Sequence, residues 1–175
     1  MITITMALQK PYINLWKSKM SLNIVLYEPE IALNTGNIVR TCVCTGATLH
    51  MIRPFGFIMS ERTIKRSGMD YIQHADIRYY DSFEEYFEKY DLEKMFFFTT
   101  KSNKFHTEVK YPEDSHIIFG PESRGLPEKV RSLNPDHNVR IPMKNQDYVR
   151  SLNLANSVCV GIYEVIRQQN LSYFI

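Results

Sequence analysis

The sequence predicts an α/β domain: a mainly parallel sheet with helices on both faces. Three observations carry this. Runs of strand character alternate with helical patterns from residue 22 to residue 168, the signature of layered α/β folds. The run Met95-Phe96-Phe97-Phe98-Thr99-Thr100 is apolar without alternation, as in a strand buried on both sides within a parallel sheet. The run Ser115–Phe119 passes through Gly120-Pro121-Glu122-Ser123-Arg124-Gly125-Leu126 into a helical pattern at 127–133. Such a strand–turn–helix unit leaves backbone amides at the strand's C-terminal end, where open α/β sheets bind ligands. Five or six strands fit a chain of 175 residues, enough for one domain with a full core.

Residues 1–19 hold apolar side chains without a sustained period and lack the parts of a signal peptide; they read as a poorly ordered extension ahead of a single domain at 20–175. Leu22–Tyr27 is rich in β-formers and reads as the first strand, ended by Glu28-Pro29-Glu30. Asn34 or Thr35 can cap a helix whose apolar face is Ile38, Val39, Cys42 and Val43, with Gly46 as its C′ residue. Thr48–Arg53 is the second strand, stopped by Pro54. A short helix over Glu61–Arg66, capped by Ser60, places Arg62, Lys65 and Arg66 on one face. That spacing suits either a solvated helix or a phosphate-binding surface. Ser82-Phe83-Glu84-Glu85 is a capping box opening a helix to about Tyr90.

After the strands at 95–100 and 115–119, Asn138–Ile141 reads as a last short strand and Met143–Val149 as a polar loop. The final helix, 154–168, carries two apolar stripes. Leu154, Val158, Ile162 and Ile166 suffice to seat it on its own sheet. Ala155, Cys159 and Tyr163 form a second stripe that needs another partner, and a homodimer supplies one economically.

Composition excludes several classes. Hydrophobic content of 44%, charged content of 23% and a net charge of +2 describe a soluble globular chain that permits, without demanding, a nucleic-acid partner. No run approaches the roughly 18 apolar residues of a membrane span. Cys42 and Cys44 form no C-x-x-C pair and no second pair completes a zinc site, so no metal is expected. Cys42, Cys44 and Cys159 all lie in apolar helical patterns and read as buried, reduced thiols of a cytoplasmic protein. The five histidines are scattered, and none is assigned. The G-x-G-x-x-G fingerprint of dinucleotide enzymes and the P-loop are absent.

Three loops hold the unusual residues. They are Asn34-x-Gly36-x-x-x-Arg40-Thr41, then Phe119–Leu126, then Ile141-Pro142-Met143 with Ser151-Leu152-Asn153-Leu154-Ala155-Asn156. Taken singly, Arg40 is a solvated helical charge and Glu122 with Arg124 an ordinary loop ion pair. In this order and spacing the three stretches resemble the motifs of the SPOUT RNA methyltransferases. The chain is most similar to the small single-domain enzymes that methylate the wobble nucleotide of tRNA, and the segment Leu26-Tyr27-Glu28-Pro29-Glu30 also matches that group.

The resemblance implies what patterning does not reveal: a C-terminal deep trefoil knot, an exception to ordinary chain connections. It also implies an S-adenosyl-L-methionine pocket built from Phe98, Gly120, Ile141 and Ser151, and transfer of a methyl group to a ribose 2′-hydroxyl of cytidine or modified uridine 34. Arg40 is the matched residue at that hydroxyl, expected to act across a homodimer. Asn34, Glu122 and Asn153 support the site. Arg62, Lys65, Arg66 and Arg124, with Lys101, Lys104, Lys144 and Arg150, meet the tRNA anticodon stem-loop. The motifs describe cofactor and chemistry, so methylation of ribosomal RNA or of another tRNA position, and a catalytically silent RNA-binding dimer, stay open as alternatives.

Overall fold

The computed structural model describes residues 22–58 and 69–169. The expectations for residues 1–19, and for the helix carrying Arg62, Lys65 and Arg66, lie outside the described residues. Six strands form one sheet: β1 (Leu22–Tyr27), β2 (Thr48–Ile52), β3 (Ile77–Tyr80), β4 (Met95–Phe98), β5 (Ser115–Phe119) and β6 (Asn138–Val139). Their order is β3-β2-β1-β5-β4-β6, and every pairing is parallel. β1, β2, β4 and β5 lie inside the sheet and are buried almost throughout, which is why their sequences are mostly apolar and show no polar alternating face.

Helices cover both faces. On one side lie α1 (Ala32–Thr45) and α4 (Leu154–Gln169), packed on each other and on the inner strands; on the other lie α2 (Phe83–Phe87) and α3 (Glu128–Arg131). Leu154, Val158, Ile162 and Ile166 of α4 are buried, as the first stripe requires. Gly161 lets that helix sit close to the sheet, because a Cβ there would lie 3.1–3.3 Å from Ile117, Phe98 and Phe119. Tyr163 on the second stripe is 55% exposed.

Several boundaries depart from the sequence reading. α1 begins at Ala32, and its N-cap is Ile31 with no side-chain cap. Asn34 and Thr35 therefore sit inside the first turn, where tertiary partners take up the Asn34 amide. At the other end Gly46 adopts φ 73°, as a C′ glycine should. β4 stops at Phe98, leaving Thr99 and Thr100 in the loop beyond. α2 ends at Phe87 rather than near Tyr90. In its capping box the Ser82 hydroxyl accepts from Glu85 N–H at 3.1 Å, but the Glu85 carboxylate accepts from Asp81 N–H instead of Ser82 N–H.

The thiols also differ from expectation. Cys42 faces the core, where burial pushes its pKa up to about 12. Cys44, two residues on and so near the opposite side of the same helix, is exposed, and Cys159 is half-buried.

Under α2 the core is polar. Asn23 donates to Asp114 at 3.0 Å and its carbonyl oxygen faces Nε2 of His50 at 3.0 Å, so that nitrogen carries the proton. Nδ1 of His50 then accepts from the Tyr80 hydroxyl at 2.8 Å, and Tyr80 in turn accepts from Tyr90 at 3.0 Å. His116 bonds the Tyr86 hydroxyl beside them. Burial lowers His50 to about 3 and His116 to about 4, so both are neutral at physiological pH.

Candidate active site

The strand order reverses between β1 and β5, and parallel sheets bind ligands beyond the C-terminal ends of strands at such a point. A cleft of about 440 Å³ lies there, within the range of small-molecule sites. Phe98, Thr99 and Thr100 enter it from the end of β4, Gly120 and Glu122 from the loop after β5, Ile141 and Met143 from the loop after β6, and Ser151, Leu152 and Asn153 from the approach to α4. Phe98, Gly120, Ile141 and Ser151, more than 50 residues apart at the extremes of sequence, thus line one cavity.

The turn after β5 has two glycines with different reasons. Gly125 takes φ 68°, a conformation that other residues adopt at a cost. Gly120 is needed for space: a Cβ there would lie 2.2 Å from the Leu126 nitrogen and 2.3 Å from the Gly125 carbonyl carbon. The close approach is the turn folding on itself, closed by Gly125 N–H donating to Pro121 O at 2.8 Å.

Side chains fasten three loops around the cleft. Asn34, 6% exposed, donates through Nδ2 to Glu122 Oε1 at 2.9 Å and accepts at Oδ1 from Asn153 Nδ2 at 2.9 Å. Glu122 Oε2 accepts from Glu30 N–H at 2.9 Å. Asn153 also caps α4, its Oδ1 accepting from Ala155 N–H at 2.9 Å and Asn156 N–H at 3.3 Å. A second set runs the other way. Glu30 accepts from Ser123 N–H at 2.9 Å and from the Ser123 hydroxyl at 2.7 Å, and these bonds hold its carboxyl below the usual range.

The expected pairing of Glu122 with Arg124 does not form. Glu122 is turned inward to Asn34, while Arg124 extends outward to Glu28 and, at 3.6 Å, to Glu30. Its side chain remains 58% exposed. Glu28, at φ 48°, is held by its N–H to Ile52 O at 3.0 Å and by Arg124. The residues bonded around the cleft that sequence reasoning left unassigned are therefore Glu28, Glu30 and Ser123. The signal for the first two was the pair of carboxylates flanking Pro29 directly after a strand.

Arg40 is exposed and does not line the cleft. It lies six residues beyond Asn34 on α1, roughly 9 Å along the axis and on another side of the helix. Among the basic residues expected at RNA, Lys101, Arg124 and Arg150 line the cleft, whereas Lys104 donates to Asp136 O at 2.7 Å. Among the described residues, no group of three or more His, Cys, Asp or Glu is arranged to hold a metal ion, and no helix is long and apolar enough to cross a membrane.

Residues 21–163 match the SpoU rRNA Methylase family. A tRNA (cytidine(34)-2′-O)-methyltransferase of Methylovorus glucosotrophus is 42% identical over 151 residues, covering 86% of this chain and 97% of that one. The Escherichia coli enzyme of the same name is 41% identical over 148 residues, covering 84% and 93%. A solved structure described as giving insight into 2-OH methylation of C/U34 on tRNA superimposes with a TM-score of 0.78 at 44% identity, covering 84% of this chain and 95% of that chain.

Proposed function

The chain belongs to the SpoU methylase family, and on that premise we propose that it transfers a methyl group from S-adenosyl-L-methionine to the ribose 2′-hydroxyl of the tRNA wobble nucleotide, cytidine or modified uridine 34. The observation that carries the reading is the convergence of all three motif loops on one cleft beyond β4 and β5.

The residues fit the cofactor. Phe98, Ile141 and Leu152 offer apolar surface, Ser151 and the Thr99–Thr100 segment offer hydrogen-bonding groups, and the Glu122 carboxylate on the wall complements a cationic ligand. When bound, the cofactor supplies an electrophilic methyl on a sulfonium sulfur. Phe98, Gly120, Ile141 and Ser151 hold it, and the network of Asn34, Glu122 and Asn153 keeps the three loops at fixed separation, so that hydroxyl oxygen and methyl carbon meet in line.

Arg40 serves the hydroxyl. A guanidinium stays protonated, so it stabilises the developing alkoxide or positions the neighbouring phosphate, and the proton leaves to a phosphate oxygen or water. Because Arg40 lies off the cleft of its own chain, it acts in the cleft of a partner. The outer faces of α1 and α4 supply the surface for such a homodimer: Leu33 is 57% exposed and Tyr163 55%. Arg124, Lys101 and Arg150 in the described residues, with Arg62, Lys65 and Arg66 beyond them, contact the anticodon stem-loop, whose unstacked bases and 2′-hydroxyl provide recognition.

The deep trefoil knot belongs to the same proposal. β6 is an edge strand while α4 packs on β1 and β5, so residues 140–153 must cross the ends of β4 and β5 to reach it. Residues 20–175 form one domain, acting in the cytoplasm.

The test is transfer of labelled methyl from the cofactor to tRNA lacking this modification and, in parallel, to ribosomal RNA, followed by nucleoside mapping, with Arg40→Ala beside the wild type. The expected result is label on the wobble ribose, lost in Arg40→Ala while cofactor affinity is retained. Label on ribosomal RNA alone refutes the tRNA assignment; cofactor binding without transfer to any RNA points to a silent RNA-binding dimer.

A further inference from the structure

Beyond the cleft, the described surface carries a half-buried aromatic cluster at the same end of the sheet. β2 ends at Ile52, and the chain runs on through Arg53 and Pro54 into Phe55-Gly56-Phe57-Ile58. Phe55 and Phe57 stack with centroids 5.8 Å apart and 17° between planes, their inner edges on the main core. Tyr79 of the edge strand β3 meets Phe55 at 6.2 Å and is 42% exposed. The Arg53 guanidinium lies 5.5 Å from the Phe55 centroid and 5.7 Å from that of Tyr79, positioned by Asp81 at 2.8 Å.

A buried aromatic cluster needs no ligand, but Tyr79 and Arg53 are not buried: both keep roughly half of their surface in water. A π-face next to a fixed guanidinium is the surface on which unpaired nucleic-acid bases stack, without regard to base identity. We propose that Tyr79, with Arg53 and Phe55, is a stacking platform for an unpaired base of the substrate RNA that flanks the methylated nucleotide. This rests on the reading of the cleft as an RNA methyl-transfer site.

Two further observations favour RNA over another occupant. The platform is tied to the cleft wall through the segment after β1: Gly56 N–H donates to Pro29 O at 2.9 Å, and a Cβ on Gly56 would lie 2.7 Å from Glu30 Cα. Glu30 is in turn bonded to Ser123 and Glu122. β2 and β3 stand two and three strands from β5, roughly 10–15 Å away, a span of a few nucleotides. The sequence that follows Ile58 also supplies Arg62, Lys65 and Arg66, charges that complement a phosphate backbone.

The experiment uses the whole protein and tRNA lacking the modification, with 2-aminopurine placed at single anticodon-loop positions. Wild-type protein is expected to quench one probe beside the target nucleotide. Tyr79→Ala should abolish that quench and raise the KM for tRNA about tenfold, with kcat and cofactor affinity unchanged. Tyr79→Phe should restore both, whereas Tyr79→Leu, which keeps apolar bulk against Phe55 without a π-face, should behave as Tyr79→Ala. A wild-type KM and quench in Tyr79→Ala or Tyr79→Leu overturns the platform while methyl transfer stands. A wild-type protein that methylates no RNA overturns the reading beneath it.

Discussion

Exchanging Asn34 for Asp is nearly isosteric, yet it reverses one side of a bond on which the cleft depends. The Asn34 amide donates to Glu122 at 2.9 Å, and its carbonyl accepts from Asn153 at 2.9 Å. In Asn34→Asp the second bond survives, because a carboxylate accepts. The first is lost, and two carboxylates face each other in a site where Asn34 is only 6% exposed. A hydrogen bond to a charged group contributes roughly 1.5–3 kcal/mol, so a loss of about 2–3 kcal/mol is expected in urea unfolding. Cofactor affinity should fall with it, since the three loops no longer hold their separation.

The complementary exchange tests the bond itself. In Glu122→Gln the new amide can donate to an Asp at position 34 while its oxygen still accepts from Glu30 N–H. The double variant N34D/E122Q should therefore recover about 1.5 kcal/mol or more relative to the sum of the single variants. Single-variant costs that simply add, within about 0.5 kcal/mol, would refute the claim that this bond couples α1 to the turn after β5.

The remaining predictions are independent of that network. Gly120→Ala should cost about 3 kcal/mol or more and abolish cofactor binding, because its Cβ overlaps backbone at 2.2 Å, whereas Gly125→Ala, strained only by φ 68° with open space around it, should cost about 1–2 kcal/mol; equal urea midpoints for the two would contradict this. His50 and His116 titrate near 6.5 when unfolded but at about 3 and about 4 in the fold, so the unfolded chain binds more protons between these values. Their stabilisation is complete above pH 6.5 and declines as pH falls, by about 2 kcal/mol per histidine at pH 5; a urea midpoint unchanged between pH 7.5 and pH 5 would show that they are not buried neutral. Tyr163→Asp should weaken the proposed homodimer about tenfold or more in sedimentation equilibrium, and an unaltered association constant would remove Tyr163 from the interface.

How much was legible in the sequence varies with the range of the forces involved. β4 announced itself through a continuous apolar run, since burial on both faces leaves no polar side to display. The C′ glycine at 46 and the Ser82 cap were legible because they are local solutions to unpaired backbone groups. Motif order identified which loops matter, and Phe98, Gly120, Ile141 and Ser151 do meet in one cleft.

Partner choice was not legible. Asn34 has the residue type of a helix cap, but its amide is worth more to the fold bridging Glu122 and Asn153, 88 and 119 residues away, and the helix starts three residues earlier than a cap at Asn34 would place it. Glu122 and Arg124 are two positions apart in sequence and of opposite charge, yet the turn sends one inward and the other outward. Cys42 and Cys44 share a composition and differ only in which side of α1 the sheet covers.

The sequence by itself determined the class of the fold and the order of its elements, because periodicity and turn residues act over a few positions along the chain, and motif order pointed to the loops that meet at the cleft. Only the tertiary structure decided the strand order, the hydrogen bonds that lock three distant loops around the cleft, and the position of Arg40 away from it. Those outcomes depend on which surfaces meet when the sheet assembles, and no short-range pattern encodes that.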